Sequence, residues 1–225
     1  PEIEKILERY KYKTIIRFTC REDKEKYLMK LKKNVNKNIT IHTTELNIEL
    51  QDDQWQMEYI DHNRNIARAI VYDEDENFYF VRAKRNDDFG HATIIETAGG
   101  GVEEGEELQD AIKRELKEEL GVKVDVICKI GVVSDCYNLI HRHNINNYFL
   151  CKVESFGEKE LTEDEINNFH LSTLKLSYEE AIREYEYRSN TRLGKLIANR
   201  ELPVLHRAKE IICLLYTSPS PRDLS

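Results

Sequence analysis

Two periods of apolar residues run along the chain. Ile66–Tyr72 and Phe78–Ala83 are dense in apolar, β-branched and aromatic residues. They predict a strand pair turning across Asp73–Asn77. Ile39–Leu50 and Trp55–Ile60 predict a hairpin around Gln51–Gln54. Ala92–Glu96, Val122–Val133 and Asn147–Val153 read as further strands. Glu106–Leu120 switches to the 3.6-residue period of a helix, and Gly121 ends it. The three glycines before it, Gly99–Gly101, predict a freely bending loop. Ser177–Tyr187, Thr191–Arg200 and Pro203–Ile212 predict three closing helices. Ser177 with Glu180 three residues on has the form of a capping box. Residues 1–38 are charge-rich and read as a small α+β extension of unknown role.

The most charged segment is the most informative. Gly100–Val122 holds eight acidic and three basic residues, a net −5 of the chain's −8. Residues seven apart on a helix lie about 20° apart around its axis. The early turns therefore set Leu108, Ala111 and Ile112 on one stripe. The later turns set Glu115, Glu118 and Glu119 on the same stripe. A solvated carboxylate belongs opposite the apolar stripe. Near a helix C-terminus the dipole also repels each one, typically by ~0.3–1 kcal/mol. Their i,i+3 and i,i+4 spacing adds mutual repulsion. A cation at this stripe offsets these costs, and oxygen-only ligands suit Mg²⁺ or Mn²⁺ better than Zn²⁺.

The segment Gly100-x5-Glu106-x7-Arg114-Glu115-Leu116-x-Glu118-Glu119-x-Gly121-Val122 resembles the signature of the Nudix hydrolases in every fixed position. The resemblance implies an α/β fold, an α/β/α sandwich around a mixed sheet, spanning residues 39–212. It implies hydrolysis of the diphosphate linkage in a nucleoside diphosphate joined to another group. It implies Glu115, Glu118, Glu119 and the carbonyl of Gly100 as ligands of Mg²⁺, with Mn²⁺ as a substitute. Glu106 and Arg114 would form an ion pair fixing the loop to the helix, and Gly121 would close the motif. The general base would be Glu119, or a residue of the Leu161–Ile166 loop, where Glu163, Asp164 and Glu165 stand and Glu165 is preferred.

The wider layout looks like the ADP-ribose pyrophosphatase branch. It carries a hairpin before the first core strand, then Val81–Arg85 and Glu96-Thr-Ala-Gly-Gly. In that branch the hairpin joins a homodimer interface and helps cover the nucleotide. Thr97-Ala98 replaces the usual Pro-containing pair, which bears on the substrate and not on the carboxylates. Arg82, Arg85 and Arg142 are candidate substrate contacts. Trp55 or Tyr59 could stack on a base or serve as core. His141 and His143 lack a third donor for a metal site. A catalytically silent nucleotide-sensing module is the alternative reading.

Composition bounds the rest. The chain has 225 residues, 40% hydrophobic and 34% charged, enough apolar material for a core. No stretch is long and apolar enough for a membrane helix. The acidic balance argues against gripping nucleic acid by bulk charge. The expected partner is a small nucleotide diphosphate. Five cysteines with no Cys-x-x-Cys pair point to a reducing cytoplasm. The first residue is Pro1, so a preceding segment is open. After residue 212 the composition changes abruptly. Residues 213–225 resemble a sequencing adapter translated in frame and are left out of the functional reading.

Overall fold

The structure, a computed structural model, describes residues 45–217. The expected elements of residues 1–38 lie outside these, as do residues 39–44 of the expected hairpin. Eight strands form one mixed sheet: β1 (Leu46–Leu50), β2 (His62–Tyr72), β3 (Phe78–Asp87), β4 (Gly90–Glu96), β5 (Ala98–Gly101), β6 (Val122–Tyr137), β7 (Arg142–Phe156) and β8 (Ser172–Leu176). The order is β1-β6-β7-β2-β3-β4, with β5 beside β2 and β8 beside β3. β1 runs parallel to β6 and β2 parallel to β7; the other pairs are antiparallel. Among the described residues four α-helices accompany the sheet: α1 (Leu108–Leu120), α2 (Glu163–Asn167), α3 (Tyr178–Arg188) and α4 (Arg192–Thr217).

Strand alternation gives the sheet two apolar faces. Ala67, Ala69, Val71, Tyr79, Val81 and Phe149 pack against Ala111, Ile112, Leu116 and Leu120 of α1. Ile70, Tyr72, Phe78, Phe80, Tyr148 and Leu150 pack against α3 and α4 on the other face. The α/β sandwich expected from the motif is therefore present. Among the described residues no helix is long and apolar enough to cross a membrane.

The predicted β2–β3 hairpin forms across Asp73–Asn77, pairing Tyr72 with Phe78. Its turn is organised by the Asp73 carboxylate, which accepts from the backbone N–H of Asp75 and Asn77 and from Tyr79 Oη. Ser177 caps α3 in the predicted capping box.

Four expectations change. Residues 51–61 carry no strand, so the hairpin expected over 39–61 does not form there. β1 instead pairs with β6, Leu46 opposite Gly131. A Cβ on Gly131 would lie 2.2 Å from Leu46 O, so this approach requires glycine. The homodimer expectation rested on that hairpin. Second, the glycine run is not a loop: Gly99–Gly101 belong to β5 and pair with Ile66–Arg68 of β2. Third, the two helices expected around residue 201 are one, passing through Pro203. Val204, Leu205, Ala208, Ile211 and Ile212 are all buried, and that packing outweighs the roughly 3 kcal/mol cost of an interior proline. Fourth, β8 has no counterpart in the sequence pattern.

Candidate active site

α1 places the glutamates where helical spacing predicts. The buried stripe Ala111–Ile112 continues as Leu116 and Leu120, and Glu115, Glu118 and Glu119 flank it half-buried. Gly121, in the left-handed region at φ 65°, ends the helix and donates to Lys117 O. β5 meets the helix closely: a Cβ on Gly100 would sit 2.5 Å from the Glu115 carboxylate. Only a glycine leaves the carboxylate in this position.

Arg114 organises the cluster. Its Nε and Nη2 each donate to Glu106 at 2.9 Å, and Nη2 also donates to Gly101 O at 3.1 Å. This is the loop-to-helix pair expected from the motif. The guanidinium holds the Glu106 carboxyl at about 2. Arg114 Nη1 lies 2.8 Å from Glu115 Oε1 and 3.4 Å from Glu118 Oε2. One positive point therefore serves two carboxylates. Glu119 Oε2 accepts from Gly99 N–H at 2.8 Å. Burial pushes the Glu119 carboxyl up to about 8; the Gly99 N–H opposes this and Glu115 adds to it. Burial likewise raises Glu115.

As these side chains stand, no three carboxylates converge on one point among the described residues. The donor set nevertheless fits a hard divalent cation. It is all oxygen, it is crowded, and the guanidinium bonded to it, that of Arg114, is shared with Glu106.

Glu165, on α2, stands close enough to raise both Glu115 and Glu119 electrostatically. Its Oε2 accepts from Thr162 N–H at 2.7 Å and Thr162 Oγ at 2.8 Å, which caps the short helix. The approach to α2 is tied to the end of α1: Gly157 N–H donates to Gly121 O, and Glu160 N–H to Glu118 O.

The three arginines separate. Arg82 Nε donates to Ser172 Oγ at 3.2 Å. Arg85 is paired with Asp87 and lies over the rings of Phe89 and Phe169, so its charge is engaged internally. Arg142 begins β7 and lies over the Tyr137 ring, with its Nε buried and unbonded. Trp55 packs edge-on against Phe89, and Tyr59 stacks on His141 at 4.0 Å. His143 bonds Ser134 and Asn63.

No sequence pattern singled out two nearby basic residues. Lys159 feels the charge of Glu119 and donates to Thr173. Arg68, opposite Gly99 in the β2–β5 register, donates to Thr97 O at 3.0 Å and Asn146 Oδ1 at 3.1 Å. Glu96 joins Arg68 to Arg200 of α4.

The model of the NUDIX domain family matches residues 62–192, more than half of the chain. The chain belongs to the Nudix family. An oxidized purine nucleoside triphosphate hydrolase of Mus musculus is 53% identical over 36 residues, 16% of this chain and 23% of that protein. The match thus spans about a quarter of that relative's length. Among solved structures, an ADP compounds hydrolase aligns with a TM-score of 0.50 at 14% identity, covering 69% of this chain and 76% of that chain. A NUDIX hydrolase from Nitrosomonas europaea aligns with a TM-score of 0.49 at 17% identity, covering 63% and 90%. The Nudix segment is the β5–α1 unit just described.

Proposed function

We propose that this Nudix protein is a hydrolase of the diphosphate linkage in a nucleoside diphosphate joined to another group, with Mg²⁺ or Mn²⁺ as cofactor, in the cytoplasm. ADP-ribose, nucleotide sugars and related compounds are the substrate class. The supporting observation is the trio Glu115, Glu118 and Glu119, crowded at the end of α1 against Gly99–Gly100 of β5.

Glu115, Glu118, Glu119 and the Gly100 carbonyl would hold the ion. A divalent ion there would neutralise diphosphate oxygens and lower the pKa of a water. Arg114 keeps β5 and α1 in register by tying Gly101 O and Glu106 to the helix. A carboxylate takes the proton of the water that attacks phosphorus. Glu165 is the preferred base, since its charge reaches Glu115 and Glu119 from a separate element; Glu119 is the other candidate. Of the arginines, Arg142 is the best placed for substrate, because Arg85 is paired with Asp87 and Arg82 with Ser172.

A panel of diphosphate-linked nucleotides with Mg²⁺ or Mn²⁺ tests this reading. The expected result is turnover of at least one compound, lost when the metal is chelated. Tight nucleotide binding without turnover of any compound would replace it with the nucleotide-sensing module.

A further inference from the structure

On the sheet face opposite α1, two arginines make no ion pair among the described residues. β2 and β7 run parallel with His62 opposite Arg142 and Arg64 opposite Asn144. Arg64 and Arg142 are therefore diagonal neighbours on one face. This face also carries Arg68 and Arg200, whose charges are accounted for. Glu96 bridges Arg68 and Arg200. Asp135 and Glu201 both pair with Arg200. Asp135 also accepts from Asn144 and Asn146. Asp135 acts on Arg142 only through space, and among the described residues no acid forms an ion pair with either of the other two. Arg64 is exposed, and neither it nor Arg142 makes an ion pair or side-chain hydrogen bond among the described residues.

Two polar atoms beside them are orphaned. Arg142 Nε and Asn144 Oδ1 are buried with no partner, a condition native proteins rarely leave unresolved. Burial lowers the pKa of Arg142 and the charge of Arg64 lowers it further, which Tyr137 and Asp135 only partly oppose. The pair also adjoins the motif. A Cβ on Gly101 would lie 3.2 Å from Arg64 Nη2, whereas a Cβ on Gly100 would meet Glu115. Consecutive residues of β5 thus face the arginine pair on one side and the glutamates on the other.

We propose that Arg64 and Arg142 form an anion subsite for a phosphate-class group that the substrate carries in addition to the diphosphate engaged at the glutamates. Two guanidiniums without an ion-pair partner match a phosphate dianion, which accepts several N–H donors at once. The glutamates lie on the opposite face, so the group held here is a separate one. Within the proposed substrate class this favours members that carry a further phosphate. The substrate claim rests on the hydrolase reading; the anion subsite does not.

Two measurements on the full chain separate these. In the first, inorganic phosphate is titrated by calorimetry without added metal. Arg64→Gln and Arg142→Gln should each weaken phosphate binding at least ten-fold. Glu118→Gln should leave it unchanged, and Arg142→Lys should retain most of it. Arg64 is exposed, so its variant keeps the fold, which thermal melting checks. Unchanged phosphate affinity in Arg64→Gln would overturn the subsite. In the second, ADP-ribose 2′-phosphate and ADP-ribose are compared as substrates with Mg²⁺. Arg64→Gln should raise KM about ten-fold for the 2′-phosphorylated compound and little for ADP-ribose. Equal rises would overturn the additional-group assignment. If the wild-type chain hydrolyses neither compound nor any other diphosphate, the hydrolase reading and the substrate claim fall together. The phosphate titration decides the subsite in that case as in any other.

Discussion

At the scale of single residues, Glu118 and Gly100 separate chemistry from stability. Glu118 shares Arg114 with Glu115 and is half-buried. Glu118→Gln keeps its volume and removes a charge from a crowded anionic cluster. Turnover should vanish while the melting temperature holds or rises slightly. Near-normal turnover would remove Glu118 from the proposed ligand set. Gly100→Ala acts through space alone. Its Cβ would meet the flexible end of Glu115 rather than backbone, so the carboxylate swings aside at little cost to the fold. A displaced ligand of about 1 Å can cost on the order of 10²-fold in rate. A loss of that order with unchanged melting is the expected outcome, read by kinetics and circular dichroism together. Glu165→Gln should lower kcat by roughly 10² or more if this residue takes the proton. An effect of only a few-fold would return the role to Glu119.

At the scale of elements, local patterns were legible and long-range pairings were not. The α1 stripe, the β2–β3 hairpin and the α3 cap depend on residues within a turn or two of each other, and all three form as the spacing predicts. β1 is different. Its alternation of Leu46, Ile48 and Leu50 favours a strand but cannot say which partner it takes, and the partner is β6, far along the chain. The clue was Gly131, which looks like an interruption inside a strand and is in fact the point where β1 passes. Gly131→Ala would put a Cβ 2.2 Å from a backbone oxygen. β1 must then shift, at about 1–3 kcal/mol by analogy with overpacking. Hydrogen exchange should show β1 amides losing protection ahead of the rest of the sheet. Uniform protection across β1 and β6 would mean the strand tolerates the methyl group. Pro203 misled for the converse reason: a strong local rule is overridden by the apolar face that α4 buries.

At the scale of the whole molecule, a buried ionic network links α4 to the strand that leads into the Nudix segment. It was invisible in sequence because its members meet only through sheet register. Arg200 is 1% exposed and pairs with Glu96 at 2.6 Å, Glu201 at 2.9 Å and Asp135 at 3.2 Å. Tyr137 accepts from it at 2.8 Å. Replacing Arg200 with Met would leave Glu201 and Asp135 buried without their cation. Breaking a buried pair in this way costs about 3–5 kcal/mol, or roughly 10 °C in melting temperature for a domain of this size. Glu96 sets the pH response. Burial alone would raise its carboxyl, but Arg68 and Arg200 outweigh burial and hold it at about 2, against an ordinary value of 4.5. The unfolded chain then binds the proton more readily than the folded one. The stability from this group is fully present above about pH 4.5 and is lost as pH falls toward 2. Denaturant midpoints measured down this range should decline steeply in the wild-type chain. In Glu96→Gln the protein should start less stable at neutral pH and lose less on acidification. An equal acid slope in both would show that another carboxylate, such as Asp73, which Lys175 and the turn amides hold at about 2 against the raising effect of its own burial, governs the acid limit instead.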